Sequence, residues 1–196
     1  MIKVKLYLIF LLSLVILGCE SSTEPKDNSG TFTVSGILEN KNGTEITDDM
    51  GVYILWTVSS GSPDYTYVWG KGTIDKDKMT FKVELPNNPP EEALNLKTIG
   101  VGQIFLLKDQ NLPEGKLPIQ YDRSKFVGAT AWFAIIYKEN DNSDSEIDWL
   151  PLFKKGYNIG VGVEGTGTFD SFKPVTNETI KLIIDEILNI KFVNWT

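Results

Sequence analysis

The sequence predicts an all-β domain, an antiparallel β-sandwich, behind an N-terminal signal segment and a flexible tether. Three observations carry that prediction. About eight short runs alternate apolar and polar residues at the two-residue period of a half-buried strand. Clusters of Gly, Pro, Asn and Asp separate those runs, giving turn signals every eight to twelve residues or so. Helical spacing competes over several turns only near the C-terminus, where β-branched residues favour a strand.

The first element is not part of the domain. Lys3 and Lys5 supply a positive start, and Leu6 to Leu17 is an apolar run interrupted only by Tyr7 and Ser13. Its length suits a secretory segment and falls short of the ~20 apolar residues that span a bilayer. Residues 1–18 therefore read as a signal peptide. Ile16-Leu17-Gly18-Cys19 closes it and resembles the lipobox of bacterial lipoproteins, with Ile16 where leucine is more usual. That resemblance implies cleavage before Cys19, a diacylglycerol on its thiol and, in many bacteria, a further fatty acyl chain on the new amine. One acyl chain holds a membrane marginally and two or three hold it durably. An uncleaved short membrane helix, or a plain leader with an incidental cysteine, is disfavoured because no A-x-A-like site is present.

Glu20 to Gly30 (ESSTEPKDNSG) has no large apolar residue, so residues 19–30 read as the acylated cysteine and a flexible tether. Residues 31–196 then form one domain, long enough to bury roughly two-thirds of its unfolded surface.

Thr31 to Leu38 alternates Phe32, Val34 and Gly36 against Thr and Ser, and Asn42-Gly43 follows as a turn. Gly51 to Ser59 is apolar on both faces, which predicts a strand covered on both sides. After the turn Gly61-Ser62-Pro63-Asp64, Tyr65 to Thr73 sets Tyr65, Tyr67 and Trp69 on one face. Asp75 to Lys78 turns into Met79 to Leu85, where Met79, Phe81, Val83 and Leu85 alternate with Thr80, Lys82 and Glu84. Pro86 to Pro90 stops that strand, and Glu91 to Asn95 has room for one helical turn. Thr98 to Leu107 and Gly128 to Tyr137 read as strands, joined by a long polar loop from Lys108 to Val127. Glu139 to Asp148 is an acidic excursion and Tyr157 to Glu164 a glycine-rich strand. Ile180, Ile183, Ile184, Ile187 and Leu188 keep helical spacing while Ile180, Leu182 and Ile184 keep strand spacing. The β-branched residues favour a strand at Thr179 to Asp185.

Val34-Ser35-Gly36-Ile37 and the hairpins after it resemble the transthyretin-like, or carboxypeptidase-regulatory-like, β-sandwich modules over about residues 32–86. That resemblance implies an immunoglobulin-like or transthyretin-like sandwich with an accessory role. Trp56 to Gly72 also resembles segments of bacterial lipoproteins, which implies no activity.

Composition excludes much chemistry. Cys19 is the only cysteine and the chain has no histidine. Serine and cysteine triads, zinc sites with histidine and histidine-based pH switches are thereby removed. Carboxylate pairs, lysine-activated nucleophiles and oxygen-ligand metal sites remain. The chain holds 19 basic and 26 acidic residues; without Lys3 and Lys5 the mature chain has 17 against 26, a charge of −9. That balance disfavours nucleic acid as a partner.

Candidate sites are few. Tyr65, Tyr67 and Trp69 have the spacing of an aromatic strip that could stack sugar rings, although three aromatics on one face also build a core, and core is the preferred reading. Asp141, Asp144, Glu146 and Asp148 could offer oxygen ligands to calcium, but without EF-hand spacing a solvated acidic loop is expected. Gly160 to Gly165 spells G-x-G-x-x-G with no helix signal after it, so it reads as a glycine-rich strand and not a dinucleotide site. The sequons at Asn42, Asn177 and Asn194 carry no glycosylation reading behind a bacterial lipobox. Trp56 and Trp132 are assigned to the core; Trp149 and Trp195 are not placed. The expected function is that of a lipid-anchored bacterial envelope protein, outer membrane favoured, with a non-catalytic domain in binding, adhesion or an accessory role. A glycan-binding lipoprotein is the alternative and a carboxylate-based hydrolase the third reading. The expected partners are the membrane, through Cys19, and an envelope protein or glycan, with no cofactor beyond the acyl groups.

Overall fold

Alternation decides which side of each strand is buried. In the computed structural model, which describes residues 31–58, 65–95, 97–118, 121–130, 132–141, 147–163, 171–175 and 178–184, β1 (Phe32–Asn40) turns Val34 and Leu38 inward and leaves Ser35 outside. β2 (Gly51–Thr57) is buried on both faces, as its two-sided apolar sequence predicts. β3 (Tyr65–Asp75) leads through a turn at residues 76–79, where Met79 takes φ 51°, into β4 (Thr80–Leu85). There Phe81, Val83 and Leu85 are buried while Lys82 and Glu84 are exposed. A 3₁₀ turn at Glu91–Ala93 precedes β5 (Ile99–Leu107). The expected polar loop after it contains β6 (Gly115–Pro118) and a 3₁₀ turn at Arg123–Lys125. β7 (Phe126–Ala129), β8 (Phe133–Lys138), β9 (Gly156–Gly162), β10 (Phe172–Pro174) and β11 (Ile180–Ile184) complete the described strands.

The all-β expectation is met, but the strands do not stack as two sheets. The neighbour order β5–β2–β3–β4–β1–β11–β7 returns to β5, closing a seven-stranded barrel. Both architectures need the same alternation, so closure is decided by one long-range pairing that local pattern does not encode. An odd ring cannot alternate strand direction all the way round. One neighbouring pair must be parallel, and here it is β1 with β11, Gly36 lying beside Ile180. Gly36 is required at that contact. A Cβ there would collide with the Ile180 carbonyl oxygen and lie 2.8 Å from the Phe81 ring.

The lumen is packed with Val34, Leu38, Val52, Ile54, Phe81, Val83, Leu85, Ile104, Leu106, Leu182 and Ile184, none more than 4% exposed. Side chains therefore fill it, as in other small barrels.

Three wall strands extend beyond the barrel as an open sheet. The first half of β3 pairs with β6, and the first half of β5 pairs with β8, followed by β9 and β10. Gly70, at φ +103°, marks the place where β3 changes partner. Thr130 splices the fork in β5: its N–H donates to Ile104 O at 3.0 Å, its hydroxyl accepts from Ile104 N at 3.3 Å and donates to Phe133 O at 3.0 Å.

Two excursions cover the outer faces. Leu112, Leu117, Tyr121 and Phe126 lie over Tyr53, Leu55, Phe105 and Leu107. Trp149, Leu150 and Phe153 lie over Ile99, Ile136 and Phe172. Covers on both sides explain why β2, β5 and β8 are apolar on both faces.

Two further expectations are corrected. Gly128 to Tyr137 is not one strand, because β7 ends at Ala129 in the barrel ladder and β8 begins at Phe133 in the open sheet. Trp132, which falls in that break, is 51% exposed and is not a core residue. Trp56 and Trp149 are buried, and Trp195 lies outside the described residues. The strand expected near the C-terminus is present as β11, parallel to its neighbour β1; residues 185–192, the rest of the ambiguous stretch, lie outside the described residues.

Candidate functional site

The aromatic strip lies on the part of β3 that leaves the barrel, and its three members have different surroundings. Trp69 is half-buried, and its indole N–H donates to the Tyr157 hydroxyl at 3.3 Å. That hydroxyl donates in turn to Asn87 O at 2.6 Å, while Trp56 Nε1 donates to Trp69 O at 2.8 Å. The Tyr157 ring lies 5.1 Å from Phe32, 5.0 Å from Tyr137 and 6.2 Å from Trp56. Tyr157 thus joins β1, β2, β3, β8 and the segment after β4 over the barrel mouth. Burial pushes its phenol well above the usual tyrosine range.

Tyr67 stands beside Trp56 on one side and Lys116 on the other, half-buried against the core. Burial, then the carboxylates of Glu92 and Glu114, raise its phenol pKa. Tyr65 is half-buried, with the Lys116 ammonium 4.6 Å from its ring centroid. The strip therefore divides, with Trp69 tied into the mouth and Tyr65 and Tyr67 at the sheet margin beside charged groups.

A second constellation, not singled out in the sequence, joins Tyr53 of β2 to residues of a stretch that reads as loop. The Asp109 carboxylate accepts from the Tyr121 hydroxyl at 2.9 Å, Lys125 Nζ at 3.0 Å and Asn111 N at 3.2 Å. The Tyr53 hydroxyl donates to Asp109 O at 2.6 Å and accepts from Leu112 N at 3.1 Å. Lys125, then Tyr121, hold the Asp109 carboxyl below the usual carboxylate range. Burial, then Asp109, push the Tyr121 phenol up to about 12. At neutral pH the acid is ionised and the phenol protonated, so this is a fixed clasp on the outer cover with no proton poised to move. Its only advance signal is the pairing of Asp109 with aromatic and basic residues in one polar stretch.

Of the acidic excursion, Asp141 accepts from Lys155 N at 3.1 Å and Asp148 is exposed; Asp144 and Glu146 lie outside the described residues. Among the described residues no group of three or more His, Cys, Asp or Glu is arranged to hold a metal ion. Gly160 and Gly162 belong to β9, and Glu164 and Gly165 lie outside the described residues. Lys138 is 4% exposed and donates to Phe153 O at 3.2 Å, pinning the second cover.

Compared with protein-family models, with curated proteins and with solved structures, the chain matches none. No described helix is long and apolar enough to cross a membrane, and Cys19 lies outside the described residues.

Proposed function

We propose that this chain is a lipid-anchored bacterial envelope protein, outer membrane favoured, whose barrel domain is a non-catalytic binding or accessory module. One observation carries the reading. The only cysteine ends a basic-then-apolar leader and is followed by a polar stretch that runs up to the first strand at Phe32. The twelve residues from Glu20 to Thr31 reach at most about 40 Å, enough to lift a small domain off a bilayer. The packed lumen, the absence of histidine and the stationary Asp109 clasp support a surface that binds over a pocket that reacts. Metabolic labelling with a fatty-acid probe tests the anchor: wild type should be labelled and Cys19→Ser should be unlabelled and released from membranes. Equal labelling of both ends the reading.

A glycan-binding role is the second reading, and the half-buried Tyr65 and Tyr67 beside Lys116, Glu92 and Glu114 favour it. Stacking rings with flanking hydrogen-bonding groups suit a sugar. Tyr65→Ala should then lose polysaccharide pull-down with an unchanged melting temperature. A wild type that retains no polysaccharide rules this role out.

A further inference from the structure

Six of the seven barrel strands come from one stretch of chain. β7, β5, β2, β3, β4 and β1 lie within residues 32–129, and each pairs antiparallel with the next. Taken by themselves they form a curled sheet with β1 at one edge and β7 at the other. β11 arrives from Ile180–Ile184 and fills the gap between those edges, parallel to β1 and antiparallel to β7.

The gap is shaped for a strand. Each wall has a glycine where the β11 backbone passes: a Cβ on Gly36 would collide with the Ile180 carbonyl oxygen, and one on Gly128 would lie 2.7 Å from the Ile183 carbonyl oxygen. Ile180, Leu182 and Ile184 join the barrel core at the two-residue period and are at most 2% exposed. Lys181 between them faces out, its Nζ 3.2 Å from Glu39 Oε2 of β1. Backbone pairing, buried apolar side chains and an ion pair thus specify both the occupant and its register.

None of these contacts depends on β11 belonging to the same chain. β11 is the last described strand, so no described strand has to move with it. Among the described residues it pairs with β7 only at Ile183 and Ile184, and from Ile180 to Leu182 with β1 alone. Val175 is fastened to the open sheet, its N–H donating to Ile159 O at 2.9 Å, so only residues 176–179 remain to reach the barrel. A short hinge ahead of a terminal element invites exchange between copies.

We infer that the gap between β1 and β7 is a strand-acceptor site and that a second copy of this chain supplies β11 to it, giving a strand-exchanged dimer. The core and the Lys181–Glu39 pair are the same in monomer and dimer; only the link from Val175 to Ile180 runs between copies.

The test uses the full chain with Cys19→Ser, which leaves introduced thiols alone. Ile37 and Lys181 are partners in register and both face outward, so neither substitution disturbs the core. Ile37→Cys and Lys181→Cys are made as separate variants, unfolded, mixed, refolded together at high protein concentration and mildly oxidised. A disulfide joining one variant to the other should form in the dimer fraction. The double variant should form the same bond within one chain in the monomer fraction and between chains in the dimer. Light scattering gives a second measurement that needs no introduced thiol. Lengthening the link between Val175 and Ile180 by a few flexible residues should reduce the dimer fraction several-fold. A chain that stays monomeric at every concentration, a dimer without the mixed disulfide, or a dimer indifferent to the longer link overturns the exchange.

Discussion

The barrel and the open sheet share β2, β3 and β5 yet solve the problem of strand edges in opposite ways. The barrel has no edge, and its wall narrows to glycine where a bulky lumen residue or a neighbouring strand needs room, as at Gly36 beside Phe81 and Ile180. Among the described residues the open sheet ends in two short strands, β6 and β10, each carrying a lysine and closing on a proline: Lys116 with Pro118, Lys173 with Pro174. Those are devices that discourage further strand pairing. Both halves have fully buried cores, the lumen in one and Trp149, Leu150, Phe153 and Phe172 in the other, but the open half also leaves Tyr65, Tyr67 and Trp69 half-buried and Trp132 exposed. The difference lies at the margin: the half-buried aromatic strip is on the part of β3 that leaves the barrel, and the exposed Trp132 stands where the chain enters the open sheet.

The sharpest way to break that comparison is to open the barrel. Phe81→Ala empties part of the lumen and should cost about 3–5 kcal/mol in denaturant titration. Gly36→Ala should cost about 1–3 kcal/mol by the same measurement, because the colliding atom is backbone and cannot swing aside. An unmoved midpoint for Phe81→Ala would mean that its ring does not fill the lumen, and for Gly36→Ala that β1 and β11 are not neighbours.

In the open half the effects should be smaller and local. Tyr157→Phe keeps the ring and removes both hydrogen bonds of its hydroxyl, which predicts a loss of about 1–2 kcal/mol. Hydrogen exchange should accelerate around Trp69, Asn87 and Tyr157 while the amides of β1, β4 and β11 keep their protection. Uniform acceleration across both halves would show that they unfold as one unit.

The outer clasp should appear only in pH dependence. The Asp109 carboxyl is held below its ordinary value, so its contribution is complete at neutral pH and is lost as pH falls through the carboxylate range towards that depressed value. The Tyr121 phenol is raised from 10.0 to about 12, so stability should fall as pH rises across that interval. Thermal melts of Asp109→Asn should flatten the acid limb, and those of Tyr121→Phe the alkaline limb. Limbs as steep in these variants as in wild type would remove the clasp from the account. Lys82→Ala, exposed on the wall beside Phe81, should stay within about ±0.5 kcal/mol.

How much of this was legible follows from the range of each interaction. Phe81, Val83 and Leu85 declared themselves because burial on one strand face is written at period two. The covers over β2 were implied by Tyr53 and Leu55, apolar residues on the face opposite Val52 and Ile54. The break after Ala129 was hidden because GATAWFAIIY reads as one unbroken apolar strand, and the splice depends on Thr130 meeting Ile104. The aromatic margin could be named from the spacing of Tyr65, Tyr67 and Trp69. Its division into a tied tryptophan and two marginal tyrosines could not, since Tyr157, Asn87 and Lys116 come from elsewhere in the chain.

The single parallel pair also imposes an order in time. β1 is the first described strand and β11 the last, so the ring lacks its closing neighbour until Ile180–Ile184 is available. Contacts this distant in sequence make closure slow relative to the local hairpins. A chain emerging N-terminus first would complete the β2–β3 and β3–β4 hairpins early and hold β1 with one side unpaired until Ile180–Ile184 arrived. That interval is the chain's period of greatest exposure to mispairing. Loss of Ile180–Ile184 would leave it in that half-finished state indefinitely.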